Sequence, residues 1–182
     1  MDTDLVLRAQ RGDKEAYALL AARIADQFLA VARRILRDRD LAEDATQQAL
    51  LTAWQDLPRL KDPARFEAWS YRLLVHACYA EGRKERRWAP NLHVLPTDQA
   101  MSDAELGSVV DRDQLERGFR RLPIDHRTVV VLYHYLDKPL DEIARILEIP
   151  VGTAHSRLHH AMRGMRAALE ADARPTVREA AQ

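Results

Sequence analysis

Seven histidines are the first side chains in this sequence that invite chemistry, and three of them, His155, His159 and His160, fall close together. On a helix, His155 and His159 share one face at a spacing that can hold a metal ion. A working metal centre would need more: no carboxylate lies within a turn on that face, and no HExxH pairing occurs. No metal is therefore expected, and these rings should face solvent or a binding partner. Cys78 is the single cysteine, so it can form neither an internal disulfide nor a CxxC site. It reads as a small buried residue inside a helix. No glycine-rich phosphate loop occurs. The residue types thus point away from an enzyme and away from any cofactor.

Arginine and lysine tell a different story. Arg83, Lys84, Arg86 and Arg87 put four cations into five residues. A basic helix end is often merely solvated, and it suits the helix dipole, but this density favours contact with backbone phosphates. A second candidate lies between Leu140 and Ala161, in PLDEIARILEIPVGTAHSRLHHA with its leading proline. A short helix, a tight turn at Glu148-Ile149-Pro150 and a second helix make the helix-turn-helix plan, in which the second helix reads base edges in the major groove. Ile143, Ala144 and Leu147 would pack on Ala154 and Leu158. Thr153, His155, Ser156, His159 and His160 would face outward. The competing reading is a plain helical hairpin of a bundle.

The elements that must carry these residues are all helical. Thr3 to Arg11 reads as a short helix stopped by Gly12, with Asp13 capping the next. Tyr17, Leu20, Ile24, Phe28, Val31 and Ile35 recur at steps of three and four, one buried face of a long helix. Asp40 followed by Glu43 reads as a capping-box variant that opens a third helix, stopping before Pro58. Asp62-Pro63 opens a fourth, with Phe66, Trp69, Leu73 and Ala77 on one side and the basic cluster at its end. Trp54, Phe66 and Trp69 fall on core spacing. From Trp88 to Val110 the pattern dissolves among Pro90, Pro96 and Gly107, a linker that would not by itself fix the orientation of what it joins. Periodicity returns at Asp111: Leu115, Phe119 and Leu122 line a helix stopped by Pro123, and Asp125 caps the next, which carries Val129, Val130, Leu132, Tyr133 and Leu136. The expected fold is all-α, with two small helical domains (1–88 and 111–172), a flexible linker (89–110) between them and a tail (173–182).

The 182 residues carry no net charge, and 47% of them are hydrophobic. A nucleic-acid binder usually shows a basic excess. Here the basic cluster is followed by an acidic stretch with Asp98, Asp103, Glu105 and Asp111, a distribution that fits weak DNA binding alone and stronger binding through a larger partner. No stretch approaches the roughly 20 apolar residues of a membrane span, and no basic-then-apolar leader opens the chain. A cytoplasmic protein is expected.

The segment LPIDHRTVVVLYHYLDKPLDEIARILEIPVGTAHSRLHHAMRGMRAAL resembles the C-terminal promoter-binding domain of extracytoplasmic-function (ECF) sigma factors, most tellingly at Pro150-Val151-Gly152-Thr153 and Ser156-Arg157-Leu158. In the first half, Ala42-Glu43-Asp44 with Gln47 and Ala53-Trp54 resembles that family's polymerase-binding helix, and Phe66-Glu67-Ala68-Trp69 with Tyr71-Arg72-Leu73 its promoter-melting helix. The resemblance implies a factor that joins core RNA polymerase and directs promoter-specific initiation. It implies docking of Asp44 and Gln47 on the clamp helices of the largest subunit, with Gln48 standing where an acid is usual, and a contact of the C-terminal domain with the flap of the second largest. It also implies that the 57–65 loop captures a flipped base of the minus-ten element, that Arg65, Arg72 and His76 (in place of the family's usual Asn) contact that element, and that Arg83, Lys84, Arg86 and Arg87 hold phosphates. Thr153, His155, Ser156, Arg157, His159 and His160 would read the minus-thirty-five element; His155 and His160 stand where Lys or Arg is usual. An anti-sigma factor joins promoter DNA and polymerase among the candidate partners. A helix-turn-helix regulator that never joins the polymerase is the alternative, and the first half of the chain is what discriminates.

Overall fold

The computed structural model describes residues 3–88 and 109–172, with side chains placed over 3–84 and 115–170. Most of the expected linker and the whole tail lie outside the described residues, as do Asp98, Asp103 and Glu105.

Every regular element among the described residues is helical: α1 (Thr3–Gln10), α2 (Lys14–Leu36), α3 (Arg39–Asp56), α4 (Phe66–Trp88), α5 (Val109–Arg120), α6 (Ile124–Val130), α7 (Leu140–Leu147) and α8 (Val151–Asp172). Short 3-10 turns at Leu57–Arg59 and Pro63–Arg65 join α3 to α4, and a π turn at Val131–Tyr135 extends α6. Gly12 takes a φ of 91° between α1 and α2, a conformation that suits glycine. Asp13 then caps α2, its carboxylate accepting from the Ala16 amide at 3.0 Å.

The stripe on α2 buries Leu20, Ile24, Phe28, Val31 and Ile35 as the spacing predicts. The inner face of α3 is built of small residues, Ala42, Ala45, Ala49 and Ala53, all buried. Small side chains let the backbones of α2 and α4 come close, so the large residues of α3 stay at its margins. The cap of α3 differs from expectation. Asp38, not Asp40, accepts from the Leu41 amide at 2.8 Å, and Glu43 turns to Arg39 and Arg33 instead of reaching back to the cap. Three of four consecutive residues there are charged, and the acid two residues earlier holds the extended backbone a cap needs.

In the second half, Asp125 does not cap α6. Pro123 occupies the cap position without a side-chain bond, and Asp125 instead meets Arg157 of α8 at 3.3 Å. Leu115 faces outward at 45% exposure, whereas Leu122, Val130, Ala161 and Met165 form a small core of their own. The π turn follows, with the Leu136 amide donating to the Val131 carbonyl five residues back at 3.3 Å. It rotates Tyr133 and Tyr135 outward and keeps Val131 and Leu132 inward.

The two halves are in contact. α4 packs on α7 and α6, and α2 on α6 and the π turn. One apolar cluster runs from Leu5 and Phe28 through Leu74 to Val129, Leu132, Ile143 and Ala154. Gly82 makes part of this approach possible: a Cβ there would lie 3.0 Å from Ile124 Cδ1. Polar contacts rim the seam. Arg72 meets Glu148 at 2.6 Å, Lys138 meets Glu67 at 2.8 Å, Arg37 pairs with Glu116, and the Arg34 guanidinium lies 3.8 Å over the Tyr135 ring.

Candidate polymerase and nucleic-acid interfaces

The helix-turn-helix plan forms at the residues expected. α7 ends at Glu148, whose φ of 54° and ψ of 42° turn the chain left-handed while its amide bonds the Ala144 carbonyl. The Ile149 amide donates to the same carbonyl at 3.0 Å, and the Pro150 carbonyl accepts from Thr153 and Ala154 at 2.9 and 3.2 Å. These bonds satisfy the groups left over at the end of one helix and the start of the next. Ile143, Ala144, Leu147 and Ala154 are buried, and Leu158 packs beside them.

His155, Ser156, His159 and His160 are exposed on the outer face of α8, while Thr153 and Arg157 are half-buried. Ser156 Oγ donates back to the Thr153 carbonyl at 3.0 Å, and Arg157 is held by Asp125. His160 stacks on His126 of α6 with ring centroids 6.2 Å apart and meets His159 edge-on at 5.9 Å. His126 carries no spacing signal of its own; its place follows from the stack on His160 across the α6–α8 contact. Among the described residues, no three His, Cys, Asp or Glu side chains converge as a metal site would require.

On the first half, the alanine face of α3 turns Asp44, Gln47 and Gln48 outward, and all three are exposed. Gln48 donates to Thr52 Oγ1 at 3.1 Å. Beside Gln47 lies an apolar groove of about 580 Å³, lined by Lys14, Tyr17, Gln47, Leu50, Leu51 and Trp54. Trp54 is therefore half-buried on a surface rather than a core residue, packed on Tyr17 at 4.8 Å between centroids. The Tyr17 hydroxyl donates to the Leu50 carbonyl, and burial pushes its ionisation up to about 12. The floor is thus neutral and fixed at any working pH. The signal for this groove was Leu51, a leucine off the buried stripe and 57% exposed.

The loop between α3 and α4 is anchored by Gln10 of α1, whose Nε2 donates to the Leu57 and Leu60 carbonyls at 3.1 and 2.7 Å. Residues 47 and 50 positions apart make this contact, a separation with no spacing signal. Asp62 caps the following turn through the Ala64 amide at 3.1 Å, and Arg65 projects with its side chain 75% exposed, 3.2 Å from Asp62. Along α4, Phe66 is buried and Trp69 packs on it at 5.8 Å, while His76, Arg83 and Lys84 are exposed. Lys84 also meets the buried Glu81 at 2.7 Å. Arg86 and Arg87 lie on the last turn of α4, their side chains outside the described residues. Among the α4 candidates whose side chains are described, Arg72 is the one tied to the other half of the chain, through Glu148.

Comparison with known proteins matches these two constellations separately. Residues 20–88 match the family described as Sigma-70 region 2, and residues 112–165 the family described as Sigma-70, region 4. The RNA polymerase sigma-H factor of Pseudomonas aeruginosa is 30% identical, over 98% of this chain and 97% of its own length. The ECF RNA polymerase sigma factor SigW of Bacillus subtilis is 26% identical, over 88% and 92% of the two chains. Two solved structures share the fold: CnrH in complex with the cytosolic domain of CnrY, with a TM-score of 0.69 and 22% identity over 94% of this chain and 98% of that one, and the sigma factor RpoE in complex with the anti-sigma factor NepR from Bartonella quintana, at 0.68 and 23% over 86% and 98%. No helix among the described residues is long and apolar enough to cross a membrane. A region-2 match over α2 to α4 is what a free-standing helix-turn-helix regulator would lack. The chain belongs to the sigma-70 family of RNA polymerase sigma factors, as an ECF-type member that directs transcription initiation.

Proposed function

We propose that this sigma factor divides its work among three faces. The α3 face with Asp44, Gln47 and Gln48 docks on the clamp helices of the largest polymerase subunit. The 57–65 loop and α4, with Arg65, Arg72, His76, Arg83, Lys84, Arg86 and Arg87, engage the minus-ten element and its backbone. The outer face of α8, with Thr153, His155, Ser156, Arg157, His159 and His160, reads the minus-thirty-five element, while the rest of that domain meets the flap of the second largest subunit. The chain contributes no catalytic group and no cofactor, and it works in the cytoplasm beside the polymerase. A protein of the anti-sigma class is a candidate partner, because the Bartonella neighbour holds one.

The observation that carries the polymerase assignment is the pairing of polar and apolar surface on α3. Three exposed polar side chains border a groove whose walls are Tyr17, Leu50, Leu51 and Trp54. An exposed aromatic–leucine groove beside directional polar groups fits a helix laid into it. Aromatic residues of this kind dominate interface energetics.

The test is co-purification of the full chain with core polymerase, followed by run-off transcription. Asp44→Ala with Gln47→Ala is expected to weaken core binding by about tenfold or more, because such anchors are each worth on the order of 1 kcal/mol, and to leave the thermal midpoint within about 2 °C. An unchanged affinity with a lowered midpoint would make both residues structural and sink the assignment.

A further inference from the structure

Under the reading above, the two halves must reach two DNA elements at once. By their names these lie about 25 base pairs apart, or roughly 85 Å along a duplex that rises about 3.4 Å per pair. A compact chain of 182 residues has a radius of gyration of about 16 Å and a width of roughly 40 Å. The seam described here therefore has to part before the promoter is engaged.

What the seam holds is specific. Of the five candidate contacts on the minus-ten side whose side chains are described, Arg65, His76, Arg83 and Lys84 stay on the open surface. Arg72 does not: its Nη1 lies 2.6 Å from Glu148 Oε1, a partner 76 residues away in the turn of the helix-turn-helix. Glu148 makes this contact from a left-handed backbone, with φ at 54°, a conformation that disfavours Glu and suits Gly or Asn. A residue held against its local preference at a turn, with its carboxylate on an arginine of the other half, does more than shape the turn. Lys138 adds a second tie. Its side chain is 17% exposed and sits 2.8 Å from Glu67 of α4 and 3.0 Å from Glu142 of α7.

We propose that the closed arrangement is a resting state in which Glu148 acts as a phosphate mimic, occupying the Arg72 guanidinium that a promoter strand would otherwise take. A carboxylate and a phosphate oxygen make the same charge-assisted bonds to guanidinium, so the two compete for one site. Polymerase binding, by drawing the halves apart, exchanges the internal anion for DNA. The inference rests on the assignment of Arg72 to DNA.

Two substitutions open the seam without removing any proposed DNA or polymerase contact. Glu148→Gly deletes the carboxylate and relieves the left-handed strain at the turn. Gly82→Leu suits the interior of α4 better than glycine does, and drives a side chain into the space of Ile124 Cδ1, 3.0 Å from the Cβ position. The experiment compares the full wild-type chain with the double variant, without polymerase, by small-angle X-ray scattering and by binding of a 20-nucleotide single DNA strand of mixed sequence. The variant is expected to expand and to bind the strand at least about fivefold more tightly, the equivalent of one exposed ion pair. Adding Arg72→Ala should abolish that gain. If the wild type binds the strand as tightly as the expanded variant, or if the variant keeps its compact dimensions, the latch does not exist. Run-off transcription with core polymerase separates the two ideas. If Arg72→Ala leaves the holoenzyme fully active, the DNA assignment of Arg72 has failed. If the holoenzyme needs Arg72 and opening brings no gain, the latch has failed.

Discussion

Single side chains set two measurable behaviours. Burial pushes the Cys78 thiol up to about 12 and the Tyr17 phenol to about 12, and it raises Tyr71 as well. Each group is neutral when protonated, and in each the folded state holds its proton more tightly than the unfolded one. Their contribution is complete below the ordinary values near 9 to 10 and is lost as pH rises through the raised ones. Stability against urea is therefore expected to be flat from pH 7 to about 9 and to fall steeply towards 12, a fall that Cys78→Ala makes shallower. Over the flat range an alkylating reagent should label Cys78 only at the rate of unfolding.

At the scale of elements, α7 packs on α8 with Ala144 and Ala154 both buried in the same apolar cluster. Ala144→Leu forces three extra carbons into that cluster and is expected to cost about 1–3 kcal/mol by overpacking. A lowered melting temperature together with weakened duplex binding would show it; duplex binding that survives at full strength would mean that the α7–α8 packing does not set the reading geometry. This pair was legible in the sequence because its signals are local: a small residue on the inner face, a proline after the turn, a short helix before it. The stripe on α2 was legible for the same reason. Element ends were harder. Asp38 and Asp40 both offer a carboxylate two residues apart, and only the backbone conformation chooses between them. The π turn after Val130 was not legible, because one extra residue in a turn leaves the apolar pattern almost unchanged while moving Tyr133 and Tyr135 to the surface. The candidate site divided along the same line. The outward residues of α3 and α8 follow from helical period, whereas the Gln10 anchor of the 57–65 loop and the His126 stack join residues far apart in the chain and carry no spacing signal.

The whole molecule differs most from what its sequence suggests at the seam. A proline-interrupted, acidic stretch between two periodic regions reads as a tether, and nothing in it announces that the regions touch. A signal did exist elsewhere. Thr128 to Leu132 are five consecutive buried residues, and a helix apolar on all sides must be covered on all sides. One side of that segment faces the small core around Leu122 and Met165, and the other faces the cluster that continues to Phe28 and Leu74.

That shared cluster has a consequence for the order in which the protein is made. Helices α1 to α4 emerge from the ribosome first, and about 84 residues separate the end of α4 from the end of α8. At roughly 5–20 residues per second the first half waits about 4–17 s for the second. Through that interval the Arg72 guanidinium has no Glu148 to meet, and the apolar surface of α2 and α4 stands uncovered. A nascent chain is in this sense born open. It has a short period in which to find the polymerase or a chaperone before its own second half arrives to close it.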